Sequence, residues 1–300
     1  MKIFITGGSG FVGTNLSFYL IEKGHHIIAV GTSSAHKVIR HDNFHYISAD
    51  TTIKGAWQDA LKHVDAVINL AGKNIFKRWS DNYKDQIYNS RILTTRNLVE
   101  AMPANTEVIL CSASAAGYYG DRADDVLKEE ALPGNDFAAK VCMDWEKEAF
   151  QAESKGIRVA AMRFGVVLGK DGGALAKMVP AFKFFAGGPL GSGLQWFPWI
   201  HMDDLIASII FILENPDVKG PLNFCSPNPL RNRDFAKTLG NVLNRPSFMK
   251  APSGIIRLMM GEMGKSLMNS QRAIPDKLLK HGFKFQYPDI NNALYNLMAS

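Results

Sequence analysis

The chain has 300 residues, 46% hydrophobic and 21% charged, with 34 basic against 28 acidic residues and a net charge of +6. This globular composition supplies one large core or two domains sharing one. The basic residues are scattered apart from groupings such as Arg231, Arg233 and Lys237, so no nucleic-acid partner is expected; no window reaches membrane-span length, so no membrane partner is expected either.

The first half alternates strand and helix patterns. A short apolar run at 2–6 precedes a helical pattern with Leu16, Tyr19 and Leu20, stopped by Gly24. Strand-like segments at 26–31 and 44–48 lead to a helix at 57–63 and a strand at 65–72. A long helix is predicted from about Ser80 to Met102, a strand at 107–114, a helix at 136–156 and a strand at 158–169. Strands separated by helices imply parallel βαβ units, hence an α/β doubly wound parallel Rossmann sheet with buried, continuously apolar strands. After Gly169 the rhythm changes: glycine and proline concentrate between Gly187 and Pro198, then a helix (203–213) and a strand (222–225) follow. The expected division is a Rossmann domain over 1–225, with about 170–198 contributing to the substrate side, and a smaller α+β substrate or cap lobe over 226–300.

Gly7, Gly8, Gly10 and Gly13 lie where the first strand hands over to the first helix. A turn this tight needs positive φ, and a pyrophosphate approaching the backbone leaves no room for Cβ. Free N–H groups and the helix dipole then hold the anion. Gly7, Gly10, Phe11, Val12 and Gly13 form the expected cradle, with Gly13 letting the helix lie close to the strand. An NAD site places an acid at the end of the second strand, about 20 residues past the glycines. No acid occurs between Lys23 and His41. Thr32, Ser33 and Ser34 can instead donate to a phosphate that Lys37 or Arg40 would neutralise, so NADP(H) is expected over NAD(H); Lys37 and Arg40 can equally be solvated surface charges.

Cys111, Cys142 and Cys225 are odd in number, widely spaced and without CxxC, and read as reduced thiols of a cytoplasmic protein. Nothing at the amino end resembles a signal peptide. None of the eight histidines stands at i, i+4 with a carboxylate, so no metal is expected.

"TGGSGFVG" (6–13) resembles the glycine motif of extended short-chain dehydrogenases, the group that contains sugar-nucleotide epimerases. "SADTT" (48–52), "NLAG" (69–72), "SASAAGYYGD" (112–121) and "PWIHMDDL" (198–205) resemble further motifs of that group. "GGPLGSG", "SPNPLRNRDFA" and the segment 271–290 are similar to its atypical epimerase-family branch, which has its own C-terminal domain. The resemblance implies Asp50 on the adenine amine and Leu70, Ala71 and Gly72 along the cofactor. It places Arg163, in the loop segment "RFGVVLG", beside nicotinamide or substrate, and implies a homodimer paired through the two long helices.

The extended family uses a serine on strand five and Tyr-x-x-x-Lys on the next helix. Ser114 (or Ser112) and Lys140 fit, but Asp136 stands where the tyrosine belongs. A carboxylate held ionised by a lysine cannot donate a proton, so Asp136 or Asn135 reads as a helix cap. Tyr118 or Tyr119 is the expected substitute acid, and Lys140 the expected ligand of the nicotinamide ribose. Lys77, Arg78 and Trp79 are candidates for an anionic substrate group; Trp196 and Trp199 are candidates for the cleft lining or for packing, and Arg91 is expected to be structural. The resulting expectation is an NADP(H)-dependent epimerase-like oxidoreductase acting on a small polar, sugar-nucleotide-like substrate. The alternative is a non-catalytic NADPH-binding regulatory module, as in relatives catalogued as cell-division inhibitors.

Overall fold

The computed structural model describes residues 1–104, 107–170 and 172–299; Ser300, the last residue of the expected C-terminal lobe, lies outside the described residues. Strand β1 (Lys2–Thr6) turns into α1 (Phe11–Glu22), then come β2 (His26–Gly31), β3 (Phe44–Ser48), β4 (Ala66–Asn69), α2 (Asp81–Ala101) and β5 (Ile109–Ala115). The chain continues through β6 (Val126–Leu127), α3 (Phe137–Phe150), β7 (Arg158–Phe164), β8 (Val166–Leu168), α4 (Leu175–Lys183), β9 (Trp196–Phe197), β10 (Trp199–His201), α5 (Met202–Glu214) and β11 (Gly220–Phe224). It closes with β12 (Leu230–Arg231), α6 (Asn232–Leu243), α7 (Ser253–Met260), α8 (Glu262–Ser266), β13 (Arg272–Ala273), α9 (Asp276–Lys280) and α10 (Ile290–Met298).

The central sheet has seven parallel strands in the order β11-β7-β5-β4-β1-β2-β3. Successive side chains alternate between faces. Ile3 and Ile5 therefore pack with Leu16 and Leu20 of α1 and with Ile206 and Ile209 of α5. Phe4 packs on the other side with Val67, Leu98 of α2, Leu110 and Val159. Burial on both faces explains why these strands read as unbroken apolar runs. After β3 the chain crosses to the far side of β1, so strand order reverses between β1 and β4, where such sheets open a crevice at their carboxyl ends.

The structure departs locally from the predicted elements in three places. The helix at 56–63 is a 3-10 turn rather than an α-helix. The helix predicted over 136–156 stays α-helical only to Phe150, then tightens to 3-10 geometry and ends on Gly156 at φ +74°. The strand predicted over 158–169 breaks at Gly165, where a Cβ would lie 2.9 Å from the Pro198 carbonyl. There β8 leaves the sheet to pair with β10. A third core joins Leu175, Phe197 and Trp199 to Phe235 of α6 and Leu294 of α10, tying the C-terminal elements to the loop-rich middle of the chain.

Candidate functional site

The turn from β1 to α1 packs closely against neighbouring backbone at Gly7 and Gly13. Gly7 has φ +67°, and a Cβ there would fall 2.8 Å from the Leu70 carbonyl. The Gly10 N–H donates to Gly7 O at 2.9 Å. Helix α1 begins after Gly10 with no side-chain cap and no acid in its first turn. Its opening N–H groups, on Phe11, Val12 and Gly13, therefore face outward without helical acceptors, beside the positive end of the dipole. This chemistry fits a dinucleotide pyrophosphate. Gly13 meets the turn rather than the strand, a correction to the expectation: a Cβ would lie 2.5 Å from Gly7 O. Close approach to a strand belongs to Gly8, whose Cβ would lie 2.5 Å from that of Ala29.

Beyond β2, Thr32, Ser33 and Ser34 are exposed, as are Lys37 and Arg40, which form no ion pair among the described residues. His36, missed in the sequence, ties this loop down. Its Nδ1 accepts from the N–H groups of Val38 (3.4 Å) and Ile39 (3.0 Å), and its ring meets Phe44 and Tyr46 edge-on. Burial holds its pKa below the usual histidine value. Tyr46 Oη donates to Ser33 O at 3.1 Å. A lone histidine carries no sequence signal for such a role. Asp50 is exposed, with Oδ1 occupied by the N–H and hydroxyl of Thr52 (3.0 and 2.7 Å) and Oδ2 left without a hydrogen bond among the described residues.

Across β1, buried polar contacts fix the strand ends. Thr6 Oγ1 donates to Asn69 Oδ1 (2.6 Å), and Asn69 Nδ2 donates to Thr95 and Ser112 hydroxyls (2.8 and 3.1 Å). Ala71 N donates to Thr6 Oγ1 at 3.3 Å. Leu70 and Ala71 are half-buried and Gly72 is exposed; they follow β4 and line the β4 side of the crevice.

The β5 end departs from the expected tetrad. Ser114 lies on the strand face covered by α3 and is 3% exposed; its hydroxyl donates to Glu146 Oε1 at 2.6 Å. Glu146 also takes both Nε and Nη2 of Arg163 at 2.8 Å. Arg163 Nη1 donates to Tyr119 Oη (3.0 Å) and Glu129 O (2.9 Å). Burial alone would lower the Arg163 pKa, but Glu146 raises it above its ordinary value. Tyr119 is fully buried and its hydroxyl donates to Asn223 Oδ1 (2.7 Å), which turns its proton into the core, and burial pushes its phenol well above the ordinary range. Arg163 is 3% exposed and its guanidinium is engaged within this network rather than open to a ligand. Tyr118 is half-buried and stacks on that guanidinium, Cζ lying 3.5 Å from its ring centroid. Its hydroxyl has no hydrogen bond among the described residues.

Lys140 is set apart. Its side chain is 64% exposed, and Nζ pairs with Asp144 at 2.9 Å, which raises its pKa. Asp144 also accepts from Tyr88 Oη at 2.9 Å. The α3 residues that face the end of β5 are Ala138 and Cys142: a Cβ on Gly117 would meet them at 3.6 and 4.0 Å. Lys140 stands two residues from each, about 200° around the helix, on the far side. The spacing of Asp136 and Lys140 thus matches the family motif in register but not in helix phase. Asp136 does cap α3, accepting from Ala139 N at 2.8 Å, and also accepts from Asn269 Nδ2 at 2.8 Å.

That last bond crosses a cleft of about 450 Å³ in which Asp121, Arg122, Pro133, Gly134, Asn135 and Asp136 face Lys265 and Asn269. A hollow of about 550 Å³ at the end of α6, lined by Gly240, Asn241, Asn244 and Arg245, includes none of the candidate residues. Near the cleft, Trp79 packs edge-on against Phe137 (5.3 Å) and Lys84 pairs with Glu262. Lys77 and Arg78 are exposed and form no ion pair among the described residues. Trp196 is clasped between Arg231 (4.6 Å) and Arg272 (4.5 Å) and donates to Asp124 at 2.7 Å. Trp199 is 1% exposed and belongs to the core. Among the described residues no His, Cys, Asp and Glu cluster could hold a metal, and no helix is long and apolar enough to cross a membrane.

Residues 3–224 match the model of the NAD dependent epimerase/dehydratase family, and residues 251–297 match a domain of unknown function, DUF1731. The chain is 40% identical to the chloroplastic epimerase family protein SDR39U1 homolog of Arabidopsis thaliana, covering 99% of this chain and 87% of that protein. It is 37% identical to epimerase family protein YfhF of Bacillus subtilis, covering 100% and 98%. A crystal structure of human epimerase family protein SDR39U1 with NADPH superposes with a TM-score of 0.88 at 29% identity, covering 100% of both chains. The glycine cradle, the seven-stranded sheet and these matches together make the chain a member of the NAD dependent epimerase/dehydratase family, with a DUF1731 domain following its Rossmann sheet.

Proposed function

We propose that the chain is an NADP(H)-binding, epimerase-like oxidoreductase for a small polar substrate held under its C-terminal lobe, residues 226–300. The observation that carries the cofactor choice is the end of β2: three exposed hydroxyl residues, Thr32, Ser33 and Ser34, two cations, Lys37 and Arg40, without an ion pair among the described residues, and no acid between Lys23 and His41. A carboxylate there would bind a ribose 2′-hydroxyl and repel a 2′-phosphate. The NADPH bound by the human relative supports the same choice. In this reading Gly7, Gly10, Phe11, Val12 and Gly13 hold the pyrophosphate and Asp50 Oδ2 accepts from the adenine amine, while Leu70, Ala71 and Gly72 border the cofactor.

When bound, NADPH supplies a hydride. Tyr118 gives the proton from Oη to the substrate oxygen, Arg163 beneath its ring stabilises the phenolate left behind, and Lys77 and Arg78 attract an anionic group of the substrate. The three cysteines are buried, and burial pushes the thiols of Cys111 and Cys142 up to about 12, which suits a reducing compartment such as the cytoplasm. A homodimer paired through the outward faces of α2 and α3 belongs to the same proposal.

One observation favours a second reading, a regulatory NADPH-binding module without turnover: Ala138 and Cys142 stand on α3 where a tyrosine and lysine would serve catalysis. Stopped-flow mixing of the NADPH complex with carbonyl compounds and oxidised sugar nucleotides separates the two. Hydride transfer that Tyr118→Phe slows supports the enzyme; no transfer with any compound, alongside tight NADPH binding, supports the module.

A further inference from the structure

Arg91 lies on α2 but is held against the end of β4. A Cβ on Gly72 would come within 2.9 Å of its Cζ, 3.0 Å of Nη2 and 3.3 Å of Nε. Nη1 donates to Ile87 O (3.0 Å) and Nη2 to Lys73 O (3.2 Å). Its remaining N–H groups have no acceptor among the described residues, and no carboxylate pairs with it there. The Trp145 ring lies 5.1 Å from Cζ. Burial lowers its pKa to about 10, and the charge is felt by the Cys142 thiol. Arg91 is half-buried, and a cation there that keeps N–H groups without acceptors and has no counter-ion among the described residues is costly unless a ligand completes its hydrogen bonds.

Its position tells which ligand atoms are in reach. The pyrophosphate cradle is at β1, and the exposed Thr32–Ser34 segment and Asp50 lie on the β2 side. A dinucleotide that crosses the crevice at β1 must lay its other half over β4 and β5, on the side of Gly72. The helix position from which a lysine would reach that half is Cys142, and Lys140 faces away. We infer that Arg91, reaching from the neighbouring helix, is the cationic donor that grips oxygens of the nicotinamide-ribose half of the cofactor, in place of a lysine on α3. This inference rests on the NADP(H) reading above.

Calorimetry with two probes tests it: NADPH, and 2′,5′-ADP, which carries the adenosine half alone. Arg91→Met is expected to weaken NADPH about tenfold, the worth of one charge-assisted hydrogen bond, and to leave 2′,5′-ADP unchanged. Arg91→Lys, which keeps the charge but loses the fork, is expected to weaken NADPH less, again sparing 2′,5′-ADP; it serves as the second variant if the methionine form does not fold. Unchanged NADPH affinity in either folded variant overturns the inference, as does an equal loss for both probes. Wild-type protein that binds neither probe overturns the NADP(H) reading itself, a result distinct from all of these.

Discussion

The two sides of the crevice are made of different materials. Around β1, α1 and β2 the candidate contacts are main-chain N–H groups, small hydroxyls and one carboxylate, set by close backbone packing. Around β5, α3 and β7 they are long polar side chains already bonded to one another: Ser114 to Glu146, Glu146 to Arg163, Arg163 to Tyr119. An anion site built on backbone needs only glycines at the right places, whereas a catalytic constellation needs side chains turned to the right face. The backbone geometry of the first is intact here; the side chains of the second are bonded to one another in a buried polar core, while Tyr118 and Arg91 keep O–H or N–H groups without acceptors among the described residues.

Breaking the buried network gives the largest effect on stability. Glu146→Ala leaves the Arg163 guanidinium buried and unpaired and is expected to cost about 3–5 kcal/mol, read by chemical denaturation. The same variant stripped of its cation, Glu146→Leu with Arg163→Met, should recover much of that loss. On the other side, Gly13→Val drives a branched side chain into Gly7 O and should reduce NADPH affinity by about 100-fold or more, roughly 2.7 kcal/mol, with stability changing less. Ser33→Asp puts a carboxylate beside the 2′-phosphate; the ratio of NADPH to NADH affinities should fall by about tenfold or more, measured by fluorescence titration. Asp136→Ala removes the α3 cap and its bond to Asn269, for about 1 kcal/mol of stability. Lys140→Met is the smallest: a solvated pair with Asp144 is lost, and cofactor affinity should not change measurably. A large loss of NADPH binding in that variant would restore the lysine to the cofactor and displace Arg91.

The same contrast explains what could be read from sequence. Gly7, Gly10 and Gly13 were legible because a turn between strand and helix constrains backbone directly, and the alternation of apolar runs revealed the parallel sheet. A cap at Asp136 or Asn135 was legible because Asp and Asn before a helical pattern favour that use, and the structure gives it to Asp136. The tetrad was not legible. Each helical residue turns 100°, so Lys140, two positions from Cys142, lands on the opposite side of α3. A strand alternates faces, so Ser114 points under the helices, and spacing alone does not say which face meets the crevice. Arg91 carried no motif; its place beside Gly72 comes from α2 packing against the end of β4, a contact between segments about 20 residues apart that only the fold supplies.

The account turns on the backbone cradle and the acid-free end of β2 acting together. Titration calorimetry of the folded chain with NADPH and with NADH, repeated on Gly13→Val, measures both at once. The account predicts NADPH bound at least about tenfold more tightly than NADH, and both lost in the variant. Equal or tighter NADH binding, or a variant that binds as the wild type does, would contradict it.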